Sequence, residues 1–268
     1  MLRDITLGQY YRADSVLHRM DPRVKLVATF MFIISLFLVK NFLGYIIAAL
    51  FLGMGIVLSK VPPKFIFRGM KTIFFLLFIT MLFNLFLTPG KELVSFWKFT
   101  ITIEGVKMAC MMAIRLIFLI TGSSLMTLTT TPNNLTDGLE SLLKPLKVIR
   151  VPVHEISMMM SIALRFIPIL MEETDKIMKA QMARGADFES GSLINRAKSL
   201  VPLLVPLFIS AFRRANDLAM AMEARCYRGG DGRTKMKPLI YSRADYIAYA
   251  VIMLYLVLIV VFGRMLFR

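Results

Sequence analysis

The chain is poor in the residues from which most active sites are assembled. Its 268 residues include two cysteines, two histidines and one tryptophan. Cys110 sits in an apolar run and Cys226 in a basic segment, so they make neither a disulfide framework nor a metal spacing. His18 and His154 add no metal set, and His154 and Glu155, being adjacent, point to different faces of a helix. No Gly-x-x-x-x-Gly-Lys-Ser/Thr phosphate loop occurs, so the standard device for gripping a nucleotide is missing. Paired carboxylates and a nucleophile elbow are missing as well; Glu172, Glu173 and Asp175 form the only close acidic cluster. The chain is therefore not expected to be an enzyme or to hold a metal or cofactor of its own. Acidic residues are scarce too, 17 against 33 lysines and arginines, for a formal net charge of +16. On a soluble protein that balance would point to nucleic acid. Here most of the basic residues flank apolar runs, and no nucleic-acid partner is expected.

What the chain has in excess is hydrocarbon. Hydrophobic residues make up 57% of it and the mean hydropathy is +0.67, against about 45–50% apolar residues in an ordinary soluble domain. The surplus is gathered into runs without an ionisable residue: 26–39, 42–59, 72–90, 116–136 and 246–263. A helix needs about 20 mainly apolar residues to cross the hydrocarbon layer, within a range of roughly 17–25. Four runs reach that range, and the first must borrow flanking residues. Because every backbone polar group must be satisfied inside lipid, helices are the expected spanning form. The fold class read from this pattern is all-α, a polytopic membrane protein with about five transmembrane helices.

The first 25 residues are polar and basic, with Arg3, Arg12, Arg19, Arg23 and Lys25, and no cleaved signal peptide is expected. Asp21 and Pro22 read as the N-cap and first position of the first membrane helix. The gaps between runs alternate in lysine and arginine: five in the tail, then Lys40 alone, then four in 60–71, then three in 91–107 diluted by Glu92 and Glu104. The positive-inside rule then places the N-terminus and the long basic segment in the cytoplasm. By the same count the C-terminus falls outside, although Arg264 and Arg268 oppose that step. The expected organisation is a cytoplasmic tail (1–25), four membrane helices (26–131), a cytoplasmic region (132–242) and a final membrane helix (243–268). Ser242-x-x-Asp245 reads as the capping box that opens the last helix. Arg115, inside an apolar run, is either functional or snorkels to the interface.

The cytoplasmic region alternates between apolar and charged stretches within one or two turns, which suits amphipathic helices along the inner membrane face. It also contains a repeat. Ala180-Gln-Met-Ala-Arg-Gly185 and Ala221-Met-Glu-Ala-Arg-Cys226 share Ala-x-x-Ala-Arg at an offset of 41 residues, each after a proline-containing apolar stretch (Pro168; Pro202 and Pro206). Helical spacing puts Ile177, Ala180 and Arg184 in one row and Leu218, Ala221 and Arg225 in a matching row. Gly185 is expected to stop its helix in a left-handed cap. Cys226 is not, so the second helix is expected to continue to Gly229-Gly230. Eight methionines of this region, Met158, Met159, Met160, Met171, Met178, Met182, Met220 and Met222, read either as core filler or as a surface that repacks against partners.

At these residues the sequence resembles the transmembrane coupling (T) component of energy-coupling factor vitamin transporters. The resemblance rests on two Ala-Arg-Gly-type motifs, here Ala183-Arg184-Gly185 and Ala224-Arg225-Cys226, with cysteine replacing the second glycine. The stretch from His18 to Lys25 and the four-plus-one helix layout extend it over essentially the whole chain. It implies partners: two cytoplasmic ABC-type ATPases that bind the ATP, and a small membrane subunit that captures a vitamin or other micronutrient. The two arginines would dock to the ATPases, since a planar guanidinium binds carboxylates in charge-assisted, often bidentate fashion. Two other classes stay open from the residues alone, a secondary transporter or channel with its own mid-membrane site, and a lipid-modifying membrane enzyme.

Overall fold

The computed structural model describes residues 10–39, 41–66, 74–96, 99–186, 188, 193–230, 236 and 238–265. The chain divides into two compact units, one built from Gly8–Leu142 together with Leu239–Arg268, the other from Leu143–Pro238. The expected all-α membrane architecture is observed. In the first unit the helices are α1 (Val16–Arg19), α2 (Pro22–Leu38), α3 (Phe42–Ser59), α4 (Phe74–Leu87), α5 (Ile103–Thr129), α6 (Pro132–Leu143, whose last residue is the first of the second unit) and α9 (Arg243–Met265). A short antiparallel hairpin, β1 (Glu92–Phe96) and β2 (Phe99–Thr102), joins α4 to α5 and was not expected from the sequence. The second unit carries a 3-10 turn at Lys144–Ile149, α7 (Val153–Ala183) and α8 (Leu193–Ala224).

Local chemistry sets the helix starts. Asp21 caps α2 by accepting from Arg23 N–H at 2.9 Å, and Pro22 occupies the first turn. By starting four residues before the uncharged run, α2 reaches 17 residues. Thr102 caps α5 through Gly105 N–H at 3.0 Å. Ser242 and Asp245 form the expected capping box of α9: Asp245 Oδ2 accepts from Ser242 N–H at 2.7 Å. The fourth apolar run, read as 116–136, is not one helix. α5 begins at Ile103 and ends at Thr129, Thr130 is extended, and α6 starts at Pro132. Proline pushes the residue before it out of the helical region, a break that a search for uncharged runs does not register. At 27 residues α5 is about 40 Å long and exceeds the roughly 30 Å hydrocarbon layer.

The core of the first unit lies among α2, α3 and α9: Phe32, Leu36, Tyr45, Ala48, Leu52, Tyr255 and Ile259 are all buried. Ser35 Oγ and Tyr255 Oη share a hydrogen bond of 2.6 Å there. By length and composition α3, α5, α7 and Arg243–Phe262 of α9 can each cross a membrane, and α4 has a shorter apolar stretch. The outward faces carry Leu50, Val57 and Phe75, each more than two-thirds exposed, which suits contact with lipid chains. Arg115 is committed to the fold. Its Nε donates to Tyr45 Oη and its NH2 to the Val39 carbonyl, both at 3.1 Å, so it satisfies an orphan carbonyl at the end of α2.

Candidate functional site

The two arginine motifs end α7 and α8 in the same backbone geometry. At the end of α7, Gly185 has φ +88°, Gly185 N–H donates to the Met182 carbonyl at 3.0 Å, and Ala186 N–H reaches back to Gln181 at 3.0 Å. At the end of α8, Cys226 has φ +54°, Cys226 N–H donates to Glu223 at 2.8 Å, and Tyr227 N–H reaches Met222 at 3.0 Å. Every participant in the second set lies 41 residues after its counterpart. Both are Schellman caps with the arginine at the C-cap position. This corrects the expectation for Cys226: α8 does not continue to Gly229-Gly230, because the cysteine itself takes the left-handed conformation. The cap's two hydrogen bonds offset a left-handed cost of roughly 1–2 kcal/mol for an L-residue.

Two contacts set the direction of the helices. Arg214 NH2 donates to Glu173 Oε2 at 3.3 Å, and Gln181 Nε2 donates to the Pro202 carbonyl at 3.4 Å. As the α7 position rises from 173 to 181, the α8 position falls from 214 to 202, so the helices run antiparallel. The Pro202 carbonyl is available because Pro206, one turn on, has no N–H to donate to it. Glu173 and Arg214 are themselves 41 residues apart. They are equivalent positions of the repeat, and their contact marks a local pseudo-twofold axis between α7 and α8. Arg184 lies eleven residues beyond Glu173 and Arg225 eleven beyond Arg214. At 1.5 Å per residue each arginine stands about 16 Å from the ion pair, and the two point in opposite directions.

The residues named from the sequence are presented as a surface. Ala180, Ala183, Arg184 and Gly185 are exposed, as are Ala221, Ala224, Arg225 and Cys226, while Ile177 and Leu218 are half-buried. Among the described residues neither motif arginine has an ion-pair partner. Met159, Met160, Met182 and Met220 are exposed, while Met158, Met171, Met178 and Met222 are half-buried. Sequence reasoning missed Glu173 and Arg214. The signal was present: Glu172-Glu173 aligns with Arg213-Arg214 at the repeat offset, so equivalent positions carry opposite charges. Glu173 thus serves helix pairing, which gives the acidic cluster a use other than chemistry. His154 lies beside Gly230. Among the described residues there is no group of three or more histidine, cysteine or acidic side chains able to hold a metal.

The pattern of one transport family, CbiQ (cobalt transport protein), matches residues 13–236, which include both caps and the whole of α7 and α8. The chain belongs to the CbiQ family. Relatives extend the likeness to nearly the full length. It is 59% identical over 250 residues to the energy-coupling factor transporter transmembrane protein EcfT of Clostridium kluyveri, covering 92% of this chain and 93% of that one. Identity to the protein of the same name from Acidaminococcus fermentans is 51% over 265 residues, 98% of each. To that of Bacillus subtilis it is 47% over 246 residues, 91% of this chain and 93% of the relative. The resemblance first seen at the arginine motifs therefore runs along the CbiQ-family chain. These relatives are membrane components of a transporter, and the present chain is a multi-helix membrane protein of the same kind.

The two caps make a stability prediction. A Cβ at Gly185 would meet nothing within 4 Å, so Gly185→Cys meets only the backbone cost of φ +88°. With the unfolded-chain entropy of glycine offsetting part of the strain in both cases, Gly185→Cys should destabilise the end of α7 by about 1 kcal/mol and Cys226→Gly should gain about as much. Amide hydrogen exchange at Ala186 and Tyr227 reads both changes.

Proposed function

We propose that the chain is the coupling subunit of an energy-coupling factor transporter. In this reading two cytoplasmic ABC-type ATPases bind and hydrolyse ATP. The two arginine-capped ends of α7 and α8 take up their motion. A separate small membrane subunit captures the vitamin or micronutrient and is driven by that motion. The observation that carries the reading is the pair of like helix ends, related by an axis through the Glu173–Arg214 contact and aimed in opposite directions. Two equivalent exposed guanidiniums about 30 Å apart suit two like partners better than one substrate. The exposed methionines favour a partner surface that repacks, as a subunit serving several capturing proteins would need. The names of the relatives support the same class of transporter.

Affinity purification of the tagged chain from native membranes tests this. Two copies' worth of ATPase and one small membrane protein should accompany it; recovery of the chain alone under conditions that keep the membrane complex intact would overturn the reading. The purified chain by itself should hydrolyse no ATP, since no phosphate loop is present. Hydrolysis that persists after contaminating ATPases have been removed would contradict a purely coupling role.

The same reading has the N-terminus and residues 132–242 on the cytoplasmic side, with α7 lying along the inner membrane face rather than crossing it, although its length and apolar composition would allow a span. Single cysteines introduced at Lys147 or Arg196, in a background without Cys110 and Cys226, should resist an impermeant thiol reagent added outside cells. Efficient labelling there would reverse the orientation.

A further inference from the structure

Among the described residues the chain passes between its two units twice, from Leu142 to Leu143 and from Pro238 to Leu239. On the first unit's side both crossings are fastened to one place, the start of α2 (residues 21–26). The incoming path is the end of α5 followed by α6. Lys25 is buried, and its Nζ donates at 2.9 Å to the carbonyl of Thr129, the last residue of α5. Gly138, midway along α6, lies directly on the same part of α2. A Cβ there would stand 3.1 Å from Leu26 Cδ1 and 3.2 Å from Pro22 Cβ. From Gly138, α6 runs without a break to Leu143, the first residue of the second unit.

The outgoing path is held by Arg23. Residues 239–242 belong to no helix or strand, so their carbonyls need donors from elsewhere. Arg23 NH2 donates to the Leu239 carbonyl at 3.1 Å, and the guanidinium carbon lies 5.0 Å from the centre of the Tyr241 ring, within cation–π range. The Asp21 N–H bond to Asp245 closes the same turn onto the start of α9.

α2 is gripped beyond its start as well. Ser35 Oγ and Tyr255 Oη join it to α9 at 2.6 Å, and at its far end the Val39 carbonyl accepts from Arg115 of α5 at 3.1 Å. Its 17 residues span about 25 Å. A displacement at the start of a helix held in this way is carried across most of a roughly 30 Å hydrocarbon layer.

We propose that the start of α2 is where the motion of α7 and α8 enters the membrane unit, and that Arg23 is the positioning residue that passes it on. The inference rests on the coupling reading and adds the route to it. Were one crossing alone fastened, the other would follow the second unit freely; with both fastened, any movement of that unit loads a single helix. A guanidinium suits the joint because it donates to a carbonyl and lies on an aromatic face at once.

The transporter complex purified through this chain and placed in nanodiscs provides the test. An environment-sensitive fluorophore on a non-natural residue reports at Leu38, the exposed last residue of α2, or at Met159, exposed on α7. Adding ATP to the otherwise wild-type complex should change the signal at both positions. In Arg23→Met, which keeps an unbranched stem and loses the donor and the charge, the change at Leu38 should fall severalfold while ATP hydrolysis and the change at Met159 persist. Arg23→Lys, still a cationic donor, should restore part of the Leu38 response. Tyr241→Ala should lower that response too, and gives the same reading if Arg23→Met does not assemble. Equal loss at Leu38 and Met159 would assign Arg23 a merely structural role and overturn the proposal. So would a Leu38 response of wild-type size in Arg23→Met with hydrolysis intact. A wild-type complex that hydrolyses ATP with a response at Met159 and none at Leu38 would overturn this route and leave the coupling reading standing, whereas a chain that brings down no ATPase would overturn both.

Discussion

Replacing both motif arginines, Arg184→Ala with Arg225→Ala, should abolish transport and release the ATPases from the membrane, while the membrane helices remain folded. Both side chains are exposed at helix ends, so their loss removes no packing within the chain. The cost falls at the partner. Each guanidinium caps a row of small residues and can enter an acidic groove without steric hindrance, and truncating such an interfacial charge costs about 2–5 kcal/mol. Two such losses at separate ends of an antiparallel pair should approach additivity. Each single variant should therefore weaken assembly or uncouple hydrolysis from uptake, and the double variant should be nearly inactive. Arg→Lys at either position should recover only part of the function, since an ammonium keeps the charge and loses the fork. Arg196→Ala, outside both motifs, should be mild. Wild-type uptake with normal ATPase co-purification in the double variant would refute the coupling role of α7 and α8.

Asp245→Ala should destabilise the first unit by about 2–4 kcal/mol, a lost N-cap together with a stranded buried donor. The carboxylate is 1% exposed. It accepts three hydrogen bonds: from Ser242 N–H and Ser242 Oγ–H at 2.7 Å each, and from Asp21 N–H at 2.9 Å. Removing it strands the buried Asp21 N–H at the start of α2 and takes the capping acceptor from the exposed Ser242 at the start of α9. Asp245→Asn keeps an acceptor oxygen and should lose about half as much. A reversible unfolding titration in mixed micelles measures both variants. Asp14→Asn is the contrast. The hydrogen bond and charge of Arg19 hold the Asp14 carboxyl below its usual range, yet both side chains are more than two-thirds exposed. Water and salt screen such a pair, and its removal should be undetectable in the same titration.

Much of this was legible in the residues because the controlling physics is local. Runs without charge declare membrane helices whatever their neighbours are, since lipid admits little else. Asp21-Pro22 and Ser242-x-x-Asp245 declare helix starts, since a cap satisfies donors within one turn of itself. The repeated Ala-x-x-Ala-Arg declared two like helix faces because helical spacing alone arranges them.

Tertiary structure decided the remainder, where a residue's role depends on a partner distant in sequence. Arg115 could be weighed only as function or snorkelling until Tyr45 and Val39 were beside it, 70 and 76 residues away. The capping carboxylate Asp245 is also the acceptor for Asp21, 224 residues earlier, and no local pattern joins the two helix starts. Cys226 was read by the intrinsic penalty of a left-handed cysteine; the cap's two hydrogen bonds outweighed it. The sequence by itself determined that this is a helical membrane protein with two matched arginine motifs. Only the packing of α7 on α8 decided that the motifs face opposite ways across Glu173 and Arg214, because helix periodicity sets which residues share a face but not the direction in which a neighbouring helix crosses it.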